Sequence, residues 1–541
     1  MVWWKEAVFY QIYPRSFKDS NGDGIGDIDG IIEKLDYLKG QPDSLGIDAI
    51  WISPVYPSPM FDFGYDITDY QSIDPVFGDM ISFKKLLAEA HKREIRIIMD
   101  LVVNHTSHLH PWFLESRSSR NSPKRDWYIW KDPIDSKPPN NWLGAFGGLA
   151  WEYDNRTNQY YYHSFLKEQP DLNWRNPEVE EAIFSMIKYW LDLGVDGFRL
   201  DVVNMLVKDQ FFRNNRSYFL KGPRQYDKQV HFFDRDQPEI HGILKRLRKL
   251  LDKYDTKPMS VGEIMQDFPG NTFLPAVYCG RNDELHLAFN LMYFFCPWKA
   301  ENFYQIVKDF EAALGEENWP NATLSNHDFP RHISRYSRGK DTLSRAKLAA
   351  VFLLTIRGTP FLYYGEEIGL ERQKVARSKI QDPVGKKYWP FHPGRDPERI
   401  PMPWDDSYMA GFSNEEPWLP TYKPFKSQNV AQQIRDKTSL YHVYAKLIKL
   451  RKERKSLRKG NMKIHLSEDK KVLFFKRKEG REETYVFLNF SNQNSIVSYP
   501  KKWTLERILF SSSPRPSFLK EDSGFNLISI FPNEAIVFGN N

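Results

Sequence analysis

Three acidic residues follow short apolar runs: Gly197-Phe-Arg-Leu-Asp201, Met259-Ser-Val-Gly-Glu263 and Ala322-Thr-Leu-Ser-Asn-His-Asp328. A fourth run, Met99-Asp-Leu-Val-Val-Asn-His105, also closes on polar residues. Runs of this length read as buried strands, and the C-terminal ends of barrel strands are where barrel enzymes keep their chemistry. Arg199 and Asp201 are two apart, so on a strand they share a face, and the guanidinium keeps the carboxylate ionised and oriented. Each residue also has an ordinary reading. Arg199 and Asp201 could be an internal ion pair, Glu263 a strand-end cap or ion-pair partner, and Asp328 a helix N-cap. Clustered together, the three carboxylates repel and raise one another's pKa, which serves chemistry better than stability. Cleaving a glycosidic bond needs a carboxylate and a carboxylic acid flanking one bond, about 5–5.5 Å apart if configuration is retained.

These residues need a frame. Apolar stretches at Ala7–Tyr13, Ile47–Ser53, Ile95–Val103, Gly197–Val203, Met259–Glu263, Leu285–Phe289, Ala322–Ser325 and Pro360–Tyr364 alternate with amphipathic helical segments such as Gly30–Lys39 and Asp79–Lys92. Continuous apolar strands separated by helices mean a parallel sheet covered on both faces. The expected fold is α/β, a (β/α)8 TIM barrel over 1–104 and 174–460. From 105 to 173 the rhythm fails and Trp, Tyr, Pro and Asn accumulate, so a small inserted domain after the third strand is expected. A second irregular stretch runs from Leu370 to about Lys426. After a basic helix, Lys446–Lys459, read as a solvated face, the pattern turns to β alternation at Val472–Lys476, Thr484–Phe490 and Leu527–Phe538. A C-terminal antiparallel β-sandwich over 461–541 follows.

Composition narrows the function. The net charge of +6 over 541 residues is too small to suggest a nucleic-acid partner. Two cysteines, Cys279 and Cys296, form no disulfide framework, no apolar run is long enough to span a membrane, and Met-Val-Trp-Trp-Lys-Glu lacks a signal-peptide core. A cytoplasmic protein, monomer or homodimer, is expected. Aromatic residues make up 15% of the chain, mostly core filling, although rings also offer flat faces to sugars.

The four strand-end segments resemble, in order and spacing, the signature regions of the α-amylase superfamily of glycoside hydrolases. Gln169-Pro-Asp-Leu-Asn173 is similar to a fifth region in the form found in oligo-1,6-glucosidases and α-glucosidases. Gly394-Arg-Asp396 through Arg399-Ile-Pro-Met-Pro-Trp404 looks like a segment of exo-acting members. The resemblance implies an exo-acting retaining α-glucosidase on short oligosaccharides, with no organic cofactor. Asp201 would be the nucleophile, Glu263 the general acid and base, and Asp328 the residue that holds the sugar's 2- and 3-hydroxyls. Arg199 would pair with Asp201, while His105 and His327 would hydrogen-bond the glucose. Asp62 and Tyr65, in Asp-Phe-Gly-Tyr-Asp, would grip and stack on the terminal sugar and make the pocket blind; Phe63 stands where the family usually has Asn. Phe165 and Gln169 would add to the substrate contacts, and Arg399 would be a second holder of the terminal glucose. Val202 resembles the α-1,6-cleaving members, whereas α-1,4 maltases usually carry Thr there. In contrast, His231–Pro238 and Asp382–Trp389 look like broad α-glucosidases that also transfer glucosyl groups. Two alternatives follow: a sucrose-active or glucosyl-transferring enzyme, and a trehalose-6-phosphate hydrolase with Lys221 or Arg224 near the acceptor sugar.

The loop Asp19-Ser-Asn21-Gly-Asp23-Gly-Ile25-Gly-Asp27 spaces oxygen ligands as an EF-hand does, with Ile25 offering its carbonyl, but position 12 is Gly30 rather than Glu. A Gly/Asp-rich turn is the plainer, weaker reading, and the resemblance favours a structural Ca2+ near the first strand, away from the chemistry. The three glycines there do not fit dinucleotide spacing. His108 and His110 lack a third zinc ligand, and no Gly-x-Ser-x-Gly elbow exists.

Overall fold

The computed structural model describes residues 2–218, 225–266, 270–513, 519–522 and 525–540. Lys221 and Arg224 lie outside the described residues.

Eight strands make one parallel sheet: β1 (Phe9–Ile12), β2 (Ala49–Ile52), β3 (Arg96–Leu101), β4 (Gly197–Leu200), β5 (Met259–Gly262), β6 (Leu287–Ala288), β7 (Asn321–Thr323) and β8 (Thr359–Tyr363). Their hydrogen-bonded order is β6-β5-β4-β3-β2-β1-β8-β7, which is sequence order wrapped into a ring with only the β6–β7 seam unladdered. This is the expected (β/α)8 barrel. Alternate residues of these strands fill its interior: Phe9, Ala49, Trp51, Ile98, Met259, Val261, Leu287 and Phe361 pack into one cluster. Gly197 is required where β4 passes β5, because a Cβ there would stand 2.2 Å from Met259 O. One pleat further along the same inward faces, Asp100 and Arg199 are cross-strand partners at the C-terminal rim.

Between β3 and β4, a three-stranded antiparallel sheet of Trp130–Lys131, Gln159–Tyr162 and Trp151–Asp154 carries its own aromatic core of Trp142, Trp151 and Tyr162. After the barrel, a five-stranded and a three-stranded antiparallel sheet enclose Phe474, Tyr485, Phe487, Val497, Trp503, Ile528 and Phe538, forming the sandwich.

The structure corrects several sequence readings. The first helix splits into Ile28–Glu33 and Leu35–Leu38, and the last strand divides into Phe525–Ile530 and Ala535–Gly539. The basic segment is two helices, Leu440–Glu453 and Lys455–Lys459, and it is not uniformly solvated. Leu447, Ile448 and Arg451 are buried, and the Arg451 guanidinium donates to Leu354 O and Gly358 O at the C-terminus of helix Thr342–Thr355. Carbonyls left without partners at a helix end attract a cation, and here the cation comes from that stretch.

Candidate active site

The rim of the barrel opens on a cavity of about 520 Å3 whose walls include Asp62, Tyr65, His105, Phe165, Asp201, Val202, Glu263, His327, Asp328 and Arg395. Backbone ladders fix the carboxylates before any side chain acts. Asp201 N donates to Leu101 O of β3 at 3.1 Å, and Glu263 N donates to Leu200 O of β4 at 2.9 Å. Asp328 sits in a turn closed by Asn326 Oδ1, which accepts from the N–H groups of Asp328 and Phe329, each at 2.9 Å. The nearest helix begins only at His332, so Asp328 is not an N-cap. Glu263 likewise does not cap its strand, because its carboxylate turns inward to Arg199.

Arg199, fully buried, is the hub of the site. Its Nη1 donates to Asp100 Oδ1 at 2.5 Å and to Asp201 Oδ1 at 2.9 Å, and its Nη2 donates to Glu263. Burial pushes Glu263 up to about 8, Arg199 opposes the shift, and the neighbouring Asp201 and Asp328 add to it. Burial also raises Asp201, to about 7, with Arg199 pulling down against Asp100 and Asp328. The order places the shared proton on Glu263 and the charge on Asp201. Burial would lift Asp328 too, but His327, Arg395, Arg399 and Arg199 outweigh it and hold the carboxyl well below the usual carboxylate range. Burial pushes the pKa of both His105 and His327 down.

One end of the cavity is closed by ions. Arg395 Nη2 bridges Asp62 Oδ1 at 2.5 Å and Asp382 Oδ1 at 2.6 Å, and its Nη1 reaches Asp328 Oδ1 at 3.4 Å. Arg399 stands one layer behind, completely buried, with Nη2 on Asp328 Oδ1 at 2.8 Å and Nε on His327 O at 2.9 Å. The guanidinium facing the cavity is thus that of Arg395, while Arg399 backs the wall. Gln169 is also behind it, its Nε2 donating to Asp62 Oδ2 at 3.3 Å and Tyr65 O at 3.1 Å. Tyr65 lies parallel to His327 at 5.3 Å and donates to Asp100 Oδ2 at 3.1 Å. Phe165 tilts against His105 at 5.2 Å.

Sequence reasoning missed Asp100, Asp382 and Arg395. The signal for Asp100 was present: on β3 it shares the inward face with Ile98. Nothing in the sequence separated Arg395 from Arg399.

A second buried ion pair fastens the inserted segment to the barrel. Lys208 Nζ lies 2.5 Å from Asp171 Oδ2 and donates to Asn104 Oδ1 at 2.9 Å, with Lys208 and Asp171 both without solvent exposure. Asn104 precedes His105, and Asp171 follows Gln169 by two residues, so this ammonium sets the register of two wall segments.

The 19–27 loop wraps on its own oxygens. Asp19 accepts from the N–H groups of Asn21, Gly22 and Gly24, Asn21 from Asp23 N, Asp23 from Ile25 N, and Asp27 from Ser20 and Gly30. Among the described residues no group of three or more His, Cys, Asp or Glu side chains converges to hold a metal. Nor is any described helix long and apolar enough to cross a membrane.

The family model for the α-amylase catalytic domain matches residues 11–460. The chain belongs to the α-amylase family of glycoside hydrolases. It is 42% identical to an oligo-1,6-glucosidase of Parageobacillus thermoglucosidasius, with 92% of each chain covered. It is 41% identical to a probable α-glucosidase of Rhizobium meliloti, over 92% of this chain and 91% of the relative. Among solved structures, the α-glucosyl transfer enzyme XgtA superposes with a TM-score of 0.92 at 38% identity, each chain covered completely.

Proposed function

We propose that this protein is an exo-acting, retaining α-glucosidase that releases glucose from the non-reducing end of short oligosaccharides, α-1,6-linked ones first. The observation that carries the reading is a blind cavity in which Asp201 and Glu263 meet on one buried guanidinium, with the higher pKa on Glu263. Asp201 attacks the anomeric carbon as Glu263 gives its proton to the departing oxygen, leaving a β-glucosyl ester on Asp201. Glu263, now a carboxylate, takes a proton from the incoming water, which displaces Asp201 and releases α-glucose. Asp328, held ionised, hydrogen-bonds sugar hydroxyls and strengthens those bonds as positive charge builds in the ring. Asp62 and Arg395, and Arg399 through Asp328, seat the terminal sugar, while Tyr65, Phe165, His105 and His327 shape its faces and Gln169 holds Asp62. The partner is a small oligosaccharide and the expected setting is the cytoplasm, as monomer or homodimer.

Linkage preference rests on Val202. It lines the cavity beside Asp201, packs with Ala145, Phe165, Met205 and Tyr226, and holds a left-handed backbone (φ 35°) unusual for a β-branched residue. A methyl there in place of a hydroxyl shifts preference by about 1–3 kcal/mol without excluding a substrate. Glucose release from isomaltose, maltose, sucrose and trehalose at equal concentration tests this. Isomaltose should lead, and Val202→Thr should move the isomaltose-to-maltose ratio toward maltose by about tenfold. Maltose or sucrose leading, with the ratio unmoved in the variant, would refute Val202 as the selector and leave the mechanism intact.

Glucosyl transfer is the second reading. Leu291, Met292, Phe295, Phe329 and Met265 give the cavity an apolar flank, where an acceptor sugar could displace water from the ester. Product analysis at high sugar concentration decides between glucose and longer glucosides.

We also propose that the 19–27 loop binds a structural Ca2+ through Asp19, Asn21, Asp23, the Ile25 carbonyl and Asp27, on the strength of their alternating spacing; the carboxylates do not converge as they stand, so the ion would draw them together. The amide bonds those carboxylates accept leave lone pairs on each for a hard cation. Chelation should lower the thermal midpoint and added Ca2+ should restore it; an unchanged midpoint in both would dismiss the ion.

A further inference from the structure

Behind the Asp328 wall lies a cluster of buried polar side chains that the mechanism does not use. Arg331 is completely buried, its Nε donates to Tyr364 O at 2.9 Å, and its guanidinium lies over the rings of Tyr363 and Tyr364 at 4.5 and 4.7 Å. Its Nη1 and Nη2 have no hydrogen-bond partner. Two carboxyl side chains that interact with it electrostatically, Glu398 and Glu366, are as deeply buried, and burial pushes Glu366 up to about 8. Glu366 has the Ser325 hydroxyl facing it, yet neither of its oxygens makes a well-formed hydrogen bond. Glu398 Oε2 and Glu367 Oε2 are also unpaired, while Glu367 Oε1 is taken by Tyr10 and Tyr37 and Glu398 Oε1 by Arg372 at 3.3 Å. Buried donors and acceptors left without direct partners in one region of the interior are the usual setting for internal water, which needs two to four polar partners.

The cluster closes a ring through the site. Arg331 is three residues from Asp328 on the same turn. Glu398 precedes Arg399, which grips Asp328 Oδ1 and His327 O. Tyr363 and Tyr364, under the guanidinium, donate their hydroxyls to Glu398 O at 3.0 Å and Ile400 O at 2.7 Å. We propose that Arg331 is a positioning residue for Asp328 and Arg399, acting through internal waters that it shares with Glu366 and Glu398. The waters link the two segments that must hold the glucose hydroxyls in one geometry. This rests on Asp328 being a group that acts on the transition state.

The test is steady-state kinetics on p-nitrophenyl α-glucoside. A covalent cyclitol epoxide counts the competent sites, so that slow sites are not confused with absent ones. Arg331→Met should lower kcat per site about 100-fold, the scale for a misplaced catalytic group, with KM within about threefold. Arg331→Lys should recover part of the loss, because an ammonium can still bind the same waters. If Arg331→Met does not fold, Glu398→Gln, which keeps the shape, should lower kcat about tenfold. A crystal structure of the wild-type enzyme should show ordered water between Arg331 Nη atoms and the two carboxylates. No ordered water at these atoms, or variants with kcat per site within about twofold of wild type, would overturn the proposal. Asp328→Asn separates the two claims: a normal kcat there refutes the role of Asp328, whereas an inactive Asp328→Asn beside an unaffected Arg331 series refutes the role of Arg331 alone.

Discussion

Replacing Asp201 by alanine is expected to lower kcat/KM for any α-glucoside by about 10⁴-fold or more, the scale seen when a covalent nucleophile is removed. The fold should survive it. Asp201 is raised by burial to about 7, so its ionised form weakens the folded state; the effect grows as pH climbs from the ordinary carboxylate range to about 7 and is constant above it. Removing the carboxylate should therefore hold or raise the thermal midpoint at pH 8, and loss of activity with loss of fold would not count as support. Glu263→Gln should cost about 10²–10⁴-fold and abolish the alkaline limb of the pH–rate profile. That limb belongs to the acid form of Glu263, so wild-type activity should fall as pH rises through about 8; on the acid side it should fall as Asp201 takes up its proton near 7. The two values belong to the pair that shares Arg199. Near-normal turnover in Asp201→Ala would end the assignment.

The second large effect concerns Lys208, which touches no substrate in this account. Lys208→Met strands Asp171 as a buried charge, a change of about 3–5 kcal/mol. The expected result is a marked fall in thermal midpoint together with loss of activity, because Asn104, His105, Gln169 and Asp171 are positioned by the same ammonium. The double variant Lys208→Met, Asp171→Asn should recover much of the midpoint, since no unpaired charge remains. An unchanged midpoint in the single variant would show that the ion pair does not secure the inserted segment.

The barrel was legible because most of its strands lie in largely apolar runs, a consequence of burial on both faces, and because three of those runs lead into carboxylates. The sandwich was less so. Strands such as Asn461–Leu466 and Arg507–Ser511 are exposed or half-exposed and carry charge, so their alternation is weak. At the site, residue types and order identified Asp201, Glu263 and Asp328, which the structure brings together around Arg199. What stayed hidden was the third dimension. Two arginines four residues apart, Arg395 and Arg399, read alike, yet one faces the cavity and the other lies behind it. Arg451 read as part of a basic surface because the carbonyls that draw it inward come from a helix 97 residues away for Leu354. Lys208 gave no signal, since its partners Asn104 and Asp171 are distant in sequence.

The most direct test of the account is the anomeric form of the glucose first released from isomaltose, followed by proton NMR before mutarotation. Two displacements at one carbon, through an ester on Asp201, predict α-glucose as the initial product. Initial β-glucose would mean a single displacement by water and would contradict the roles assigned to Asp201 and Glu263.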